Sequence, residues 1–239
     1  MKKFLILFAL LSMAATSFAG TAPTTGVVGS LHDMNTITGA TDDVEGRVCA
    51  FCHTPHHAIQ DATADYLPLW AHELNTSTSF APYSTVTLDA TIADPFIGPS
   101  RLCMSCHDGV IAADQHYNFA GSPLVVSGDS WGQRAVGSTN GAGEHDFSND
   151  HPIGFLFAPV AAADSEIFDA TGRAFIDNTY GVTVEDVLTN GFMTCATCHD
   201  VHNSNNAAHS LATKNYFVYS PQEGSDLCLT CHAKGAEKK

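Results

Sequence analysis

The sequence predicts an irregular fold, mostly coil with short helices and little strand. Three observations carry this expectation. The pentapeptide Cys-x-x-Cys-His occurs four times, at Cys49–His53, Cys103–His107, Cys195–His199 and Cys228–His232, and together the four copies use every one of the 8 cysteines. The apolar stretches of the mature chain are short, and the whole sequence carries 19 glycines and 10 prolines, so no segment beyond the leader sustains a long helical or strand period. The spacings between the motifs are unequal, so no repeat of constant period emerges.

Two thiols two residues apart with an imidazole directly behind them form the covalent attachment signal for haem. The thiols add across two vinyl groups, and the histidine reaches the iron from the same turn as its proximal ligand. Zinc ribbons also use Cys-x-x-Cys pairs, but zinc needs no histidine after every second cysteine. A disulfide framework would not repeat one spacing four times. The motifs therefore assign Cys49, Cys52, Cys103, Cys106, Cys195, Cys198, Cys228 and Cys231 to four haem c groups, and His53, His107, His199 and His232 to their irons. Four porphyrins supply much of the buried apolar surface. The polypeptide can then fold with little regular structure, as small metal-stapled domains do.

Taken in order, the chain opens on a basic pair, Lys2 and Lys3, an apolar run from Phe4 to Leu11 and small residues at Ser17-Phe18-Ala19. This reads as a signal peptide over 1–19, cut before Gly20, too short to be kept as a membrane span. Residues 20–239 are read as a single tetrahaem domain. Export agrees with the motifs, because c-type haem is attached outside the cytoplasm. The predicted location is secreted, extracellular or at the cell surface by way of the periplasm. The formal charge of −15 falls further once Lys2 and Lys3 are removed. Such acidity argues against nucleic acid, which needs a basic footprint, and it suits cationic partners or metal ions.

After the first motif, Pro55 limits any helix to a short turn. Leu67-Pro68-Leu69-Trp70 is a compact patch suited to a haem face. Phe80 to Leu88 alternates loosely, as a short strand would. Pro95 to Pro99 reads as a turn, and the second motif is placed early in a short helix running into Asp108-Gly109. Residues 121–147 are rich in Gly, Ser, Asp and Asn and read as a long loop. The segment Phe155 to Val160 is expected to be buried. Glu166 to Ile176, broken at Thr171-Gly172, suggests a small hairpin. Thr183 is placed as the cap of a short helix carrying Val184, Val187 and Leu188, stopped at Asn190-Gly191. Phe217-Val218-Tyr219 is a short apolar stretch before the last motif, and the tail from Ala233 is basic.

Four irons need four further ligands. Outside the leader and the motifs only Met34 and Met193 compete with histidine, and Met193 lies too close to Cys195 to cross its own haem. Histidine at all four irons is the favoured reading. It leaves no open site and suits low-potential electron transfer. His56 and His202 each stand three residues after a proximal histidine, on the same face of one turn. Each is then placed to bind a neighbouring haem and hold two haems close. His32 and His151 have adjacent carboxylates, Asp33 and Asp150, and a carboxylate or a carbonyl accepting the ring's other N–H would fix its tautomer and tune the iron. His72 follows the Trp70 patch and is the fifth candidate. His57, His116, His145 and His209 are read as exposed polar residues. With five candidates for four irons, His56 is expected to ligate a haem of the neighbouring subunit. Its motif lies near one end of any linear stack, Pro55 holds it outward, and a head-to-tail contact of this kind propagates into a filament.

The words VCAFCHTPHH (48–57), PLWAH (68–72), CMSCHDGV (103–110), HPIGF (151–155), CATCHDVHN (195–203) and LCLTCH (227–232) spread across most of the chain. Through them the sequence resembles the tetrahaem extracellular cytochrome nanowire family, the OmcE-like multihaem c-type cytochromes. The resemblance implies a fold organised around a continuous stack of four bis-His haems and long-range electron conduction outside the cell. Partners would be further copies of the chain, redox proteins or extracellular metal acceptors. The alternatives are a discrete soluble periplasmic tetrahaem shuttle and a multihaem reductase with one five-coordinate haem. The surplus of histidines stands against the reductase, so an electron-transfer protein rather than an enzyme is expected.

Overall fold

A computed structural model of the chain describes residues 26–61, 66–75, 80–92, 94–117, 124–125, 135–137, 146–178, 180–203 and 215–234. The leader expected over 1–19 lies outside them, as do His145, His209 and most of the loop expected over 121–147. The described chain is mostly coil. It carries short α-helices α1 (Pro99–His107), α2 (Phe157–Ala163), α3 (Val184–Val187), α4 (Cys195–Cys198) and α5 (Asp226–Cys231). Two antiparallel strand pairs accompany them: β1 (His116–Tyr117) with β2 (Leu124–Val125), and β3 (Phe155–Leu156) with β4 (Phe192–Met193). No helix among the described residues is long and apolar enough to cross a membrane.

The elements sit where local chemistry puts them. Gly98, at φ 60°, turns the chain into α1, and Pro99 takes the first helical position, where its missing N–H costs nothing. The helix therefore starts ahead of Cys103, and the second motif occupies its C-terminal half rather than its beginning. Asp108 ends α1 by accepting from the backbone N–H of Val110 at 2.9 Å and of Ile111 at 3.0 Å. Thr183 caps α3 as expected, in a reciprocal box with Asp186. The helix stops at Val187, short of Leu188, and the turn follows at Asn190 and Gly191, both with positive φ.

The side-chain core is small. Phe155, Phe157, Phe175, Val182, Val184, Val187, Met193 and Tyr219 form one cluster, and Trp70, Leu74 and Leu102 a second. Phe155 and Phe157 enter the core, but Leu156 between them is 45% exposed, because the strand alternates just before α2 begins. The hairpin expected over Glu166–Ile176 does not form. Its two arms pair elsewhere, Ile167 with His232 and Ala174 with Thr183. The strand expected over Phe80–Leu88 reduces to a single bridge between Ala81 and Asp146.

Candidate functional site

In each pentapeptide the turn itself delivers the imidazole. The backbone N–H of His53 donates to the Cys49 carbonyl at 2.8 Å, that of His199 to Cys195 at 3.1 Å and that of His232 to Cys228 at 2.9 Å. Each histidine thus stands one helical turn beyond the first thiol. The second motif reaches the same spacing inside α1.

Three of the four motifs rest in the same backbone cradle, which the sequence did not announce. The Ala71 N–H donates to the Cys52 carbonyl at 2.9 Å, and the Thr54 N–H donates back to Leu69 at 2.9 Å. Around the third motif Tyr219 donates to Cys198 at 3.1 Å and Asp200 to Phe217 at 2.9 Å. Around the fourth, Phe168 donates to Cys231 at 2.9 Å and Ala233 to Glu166 at 2.7 Å. The histidines bridge Trp70, Val218 and Ile167 respectively. In the first and third cradles Leu69 (φ 54°) and Phe217 (φ 64°) adopt the left-handed conformation, uncommon for residues other than glycine. The carbonyl just before each, of Pro68 and of Tyr216, lies 2.7 Å from Nδ1 of His53 and of His199. An Nδ1–H held by a carbonyl fixes the tautomer and leaves Nε2 with its lone pair for a metal.

The histidines then meet in pairs. His53 and His202 have ring centres 6.4 Å apart, with planes 19° from parallel. His32 and His107 are 6.2 Å apart, and His151 and His232 are 6.3 Å apart. A metal ion taking one nitrogen from each ring at about 2 Å, the usual metal–imidazole length, holds two ring centres roughly 6 Å apart. All three pairs therefore leave the space that one ligated ion fills. Nδ1 of His151 faces the Pro152 carbonyl at 3.0 Å, so a carbonyl rather than Asp150 sets its tautomer. Asp33 is likewise engaged away from His32, accepting from the Gly29 N–H at 2.7 Å. Burial lowers the pKa of His151 and His199, which favours the neutral imidazole that metals bind.

A family model described as the doubled CXXCH motif matches residues 187–237, the segment holding the third and fourth motifs. No curated protein matches the chain. The motifs mark a haem-binding c-type cytochrome with an electron-transfer role.

The residues present fit haem c. Cys228, Cys231, His232 and His151 line one opening together with Phe175, Met193, Thr197, Leu227 and Cys198 of the third motif. Burial pushes the thiols of Cys52, Cys106 and Cys198 up to about 12 and that of Cys231 to about 11. These are not activated thiolates of the kind a catalytic cysteine requires. The motifs also adjoin one another. The Cys103 thiol hydrogen bonds with that of Cys195, which with burial raises its pKa, and the Cys195 N–H donates to Ser100 Oγ at 3.0 Å. Arg173 braces the last motif, donating from Nε to the Thr230 carbonyl at 2.7 Å and from Nη2 to Leu229 at 2.9 Å.

Four described histidines remain. His72 is fully buried, with Nε2 2.9 Å from the Ala112 carbonyl and Nδ1 3.2 Å from the Glu73 carbonyl, and burial lowers its pKa. His56 and His57 are exposed. His116, read from sequence as a surface residue, is instead buried, with Nε2 3.2 Å from the Asp43 carboxylate and its ring 4.2 Å from that of Phe51. Its partners are far upstream, and no local signal in the sequence pointed to them.

Proposed function

We propose that this chain is an exported electron-transfer cytochrome that holds four covalently attached bis-His haems and polymerises head to tail into a conductive extracellular filament. The observation that carries the redox part is the set of three imidazole pairs at 6.2 to 6.4 Å. In this reading His32, His202 and His151 oppose His107, His53 and His232. Haem, when bound, supplies a one-electron couple, and the chain's own task is to fix ligation, spacing and solvent exclusion. Imidazole on both sides of an iron leaves no position for a substrate, which favours conduction over catalysis. The leader over 1–19 and the charge of −15 support export and cationic or metallic acceptors.

His199 supports the polymer. Its Nδ1 is held by the Tyr216 carbonyl, yet among the described residues no imidazole faces it at the spacing of the other three pairs. The exposed His56 of a neighbouring copy supplies that ligand, and the contact repeats without closing. A second reading rests on the shared cradle of the first and third motifs. His202 of the third faces His53 of the first, and the reciprocal arrangement puts His56 on the His199 iron within one chain. The protein is then a discrete shuttle.

Electron microscopy and electron paramagnetic resonance of the secreted holoprotein and its His56→Ala variant separate the two. The filament reading expects low-spin filaments from wild type and haem-loaded monomers from the variant. Normal filaments from His56→Ala, with every haem low-spin, would reject it. A wild-type monomer already low-spin at every iron, turning high-spin at one iron on His56→Ala, selects the shuttle.

A further inference from the structure

The indole N–H of Trp70 is buried and, among the described residues, meets no acceptor. Trp70 as a whole is only 8% exposed. Leu74 and Leu102 pack around it, with Cys52, Tyr66 and Leu67 beside them. An N–H that gives up water without gaining another acceptor destabilises the folded chain. Water is a poor remedy at this place. A buried water needs about two to four polar partners, and this cluster is almost wholly apolar.

The same residue is part of the first attachment site. Its backbone bridges His53, and its ring stands edge-on to the His53 ring, with centres 5.6 Å apart and planes at 85°. The next residue, Ala71, donates its N–H to the Cys52 carbonyl at 2.9 Å. Trp70 is thus held beside the imidazole assigned to the first iron. Haem c brings few acceptors to such a donor. Its ring nitrogens are committed to iron, and sulfur accepts only weakly. The propionates remain, and carboxylate oxygens are strong acceptors. The pyrrole joined to the second cysteine of a motif neighbours one that bears a propionate. Cys52 is that second cysteine, and it packs in the cluster that holds Trp70. At the matching positions of the other two cradles stand Val218 and Ile167, which carry no side-chain donor.

We propose that Trp70 is a positioning residue for the haem of the first motif, donating its indole N–H to a propionate carboxylate of that haem. Thioether bonds hold a porphyrin along one edge, and this hydrogen bond anchors the edge they leave free. It also disperses part of the carboxylate's charge. A bare carboxylate favours ferric iron, which carries one more positive charge than ferrous iron. The hydrogen bond therefore makes the first haem easier to reduce, and its loss makes that haem harder to reduce. Among the three cradles the anchor is confined to the first. This rests on haem being attached at Cys49 and Cys52.

The test uses the secreted holoprotein. Mass analysis first establishes haem on Cys49 and Cys52. Infrared spectra are then recorded with isotope-labelled propionate carboxyls, for wild type and for Trp70→Phe, which keeps an aromatic ring and loses the donor. One propionate band should move in the variant while the bands of the other propionates stay in place. Unchanged propionate bands in a low-spin Trp70→Phe protein overturn the proposal. If the variant does not fold, nuclear magnetic resonance of the nitrogen-labelled indole in reduced wild type decides. Magnetisation transfer from the Trp70 N–H to propionate methylene protons of the first haem supports the anchor, and transfer to water alone overturns it. Absence of haem on the first motif overturns the haem reading and this proposal together, whereas attached haem without the hydrogen bond removes only the role of Trp70.

Discussion

Arg173→Ala should loosen the fourth motif without touching any residue that binds haem. The guanidinium makes two charge-assisted hydrogen bonds, to the Thr230 and Leu229 carbonyls at the end of α5, and lies 3.7 Å over the Phe168 ring. Hydrogen bonds to a charged group contribute about 1.5 to 3 kcal/mol each, and an exposed cation–ring contact about 0.5 to 1 kcal/mol. Arg173 is only partly buried, so water replaces part of what is lost, leaving a net of about 2 to 4 kcal/mol. At about 1.4 kcal/mol per factor of ten, local opening of the cradle becomes roughly thirty- to seven-hundredfold more frequent. Amide exchange reads this directly, because the Phe168 and Ala233 N–H groups donate to Cys231 and Glu166 in that cradle. Both should exchange faster by that factor in the holoprotein, while the Ala71 and Tyr219 amides of the other cradles keep their wild-type rates. Arg173→Lys keeps the charge and loses the planar fork, so it should fall between. Unchanged exchange at Phe168 and Ala233 in the alanine variant would refute the bracing role.

Three further outcomes are expected. A methyl group at Gly154, where φ is 81°, would collide with the Asp94 carbonyl and the Pro95 backbone, so Gly154→Ala should cost at least about 2 kcal/mol in chemical unfolding and shift His151, seen as a changed signal from the fourth haem. Asp43 is held below its ordinary pKa by Arg47, and an unfolded aspartate titrates near about 3.9, so the contribution of this pair is complete above about pH 5 and lost as the pH falls further. Acid unfolding of wild type and Asp43→Asn should therefore differ in steepness below about pH 5, and superimposable curves would reject the argument. With haem attachment blocked, the chain should show no cooperative thermal transition, since its side-chain clusters are small; a sharp transition in the haem-free chain would count against a haem-built core.

What the sequence made legible was local. The mostly coil fold followed from the motifs and the density of turn residues. The Thr183 cap is a four-residue signal, and the turn at Asn190-Gly191 needs two. Long-range pairing was not legible. The expected hairpin over Glu166–Ile176 failed because Ile167 finds His232, far along the chain, a better partner than its neighbours. The start of α1 was misplaced because Pro99 was read as a turn breaker, while at a helix's first position proline is favoured. At the site, the sequence pointed to His32, His151 and His202, and the structure sets each opposite a motif histidine. Of the two acceptors it allowed for the His151 ring, a carboxylate or a carbonyl, the structure supplies the Pro152 carbonyl, which every residue type carries. His116 was missed for the same reason as the hairpin, since Asp43 lies far upstream.

The cradle shared by three motifs has an evolutionary consequence. Its bonds run between main-chain groups, so they place almost no demand on residue type. The partner segments Leu69-Trp70-Ala71, Phe217-Val218-Tyr219 and Glu166-Ile167-Phe168 share no identical residue at any equivalent position. Two of them follow their motif along the chain and the third precedes it, so the same contacts are made in either chain order. Descent from a duplicated ancestral module would leave little trace in an alignment beyond the pentapeptides and the histidine three residues after the first and third of them, His56 and His202. Such a module can drift, be reordered or be spliced to another so long as two peptide groups remain within reach of the turn.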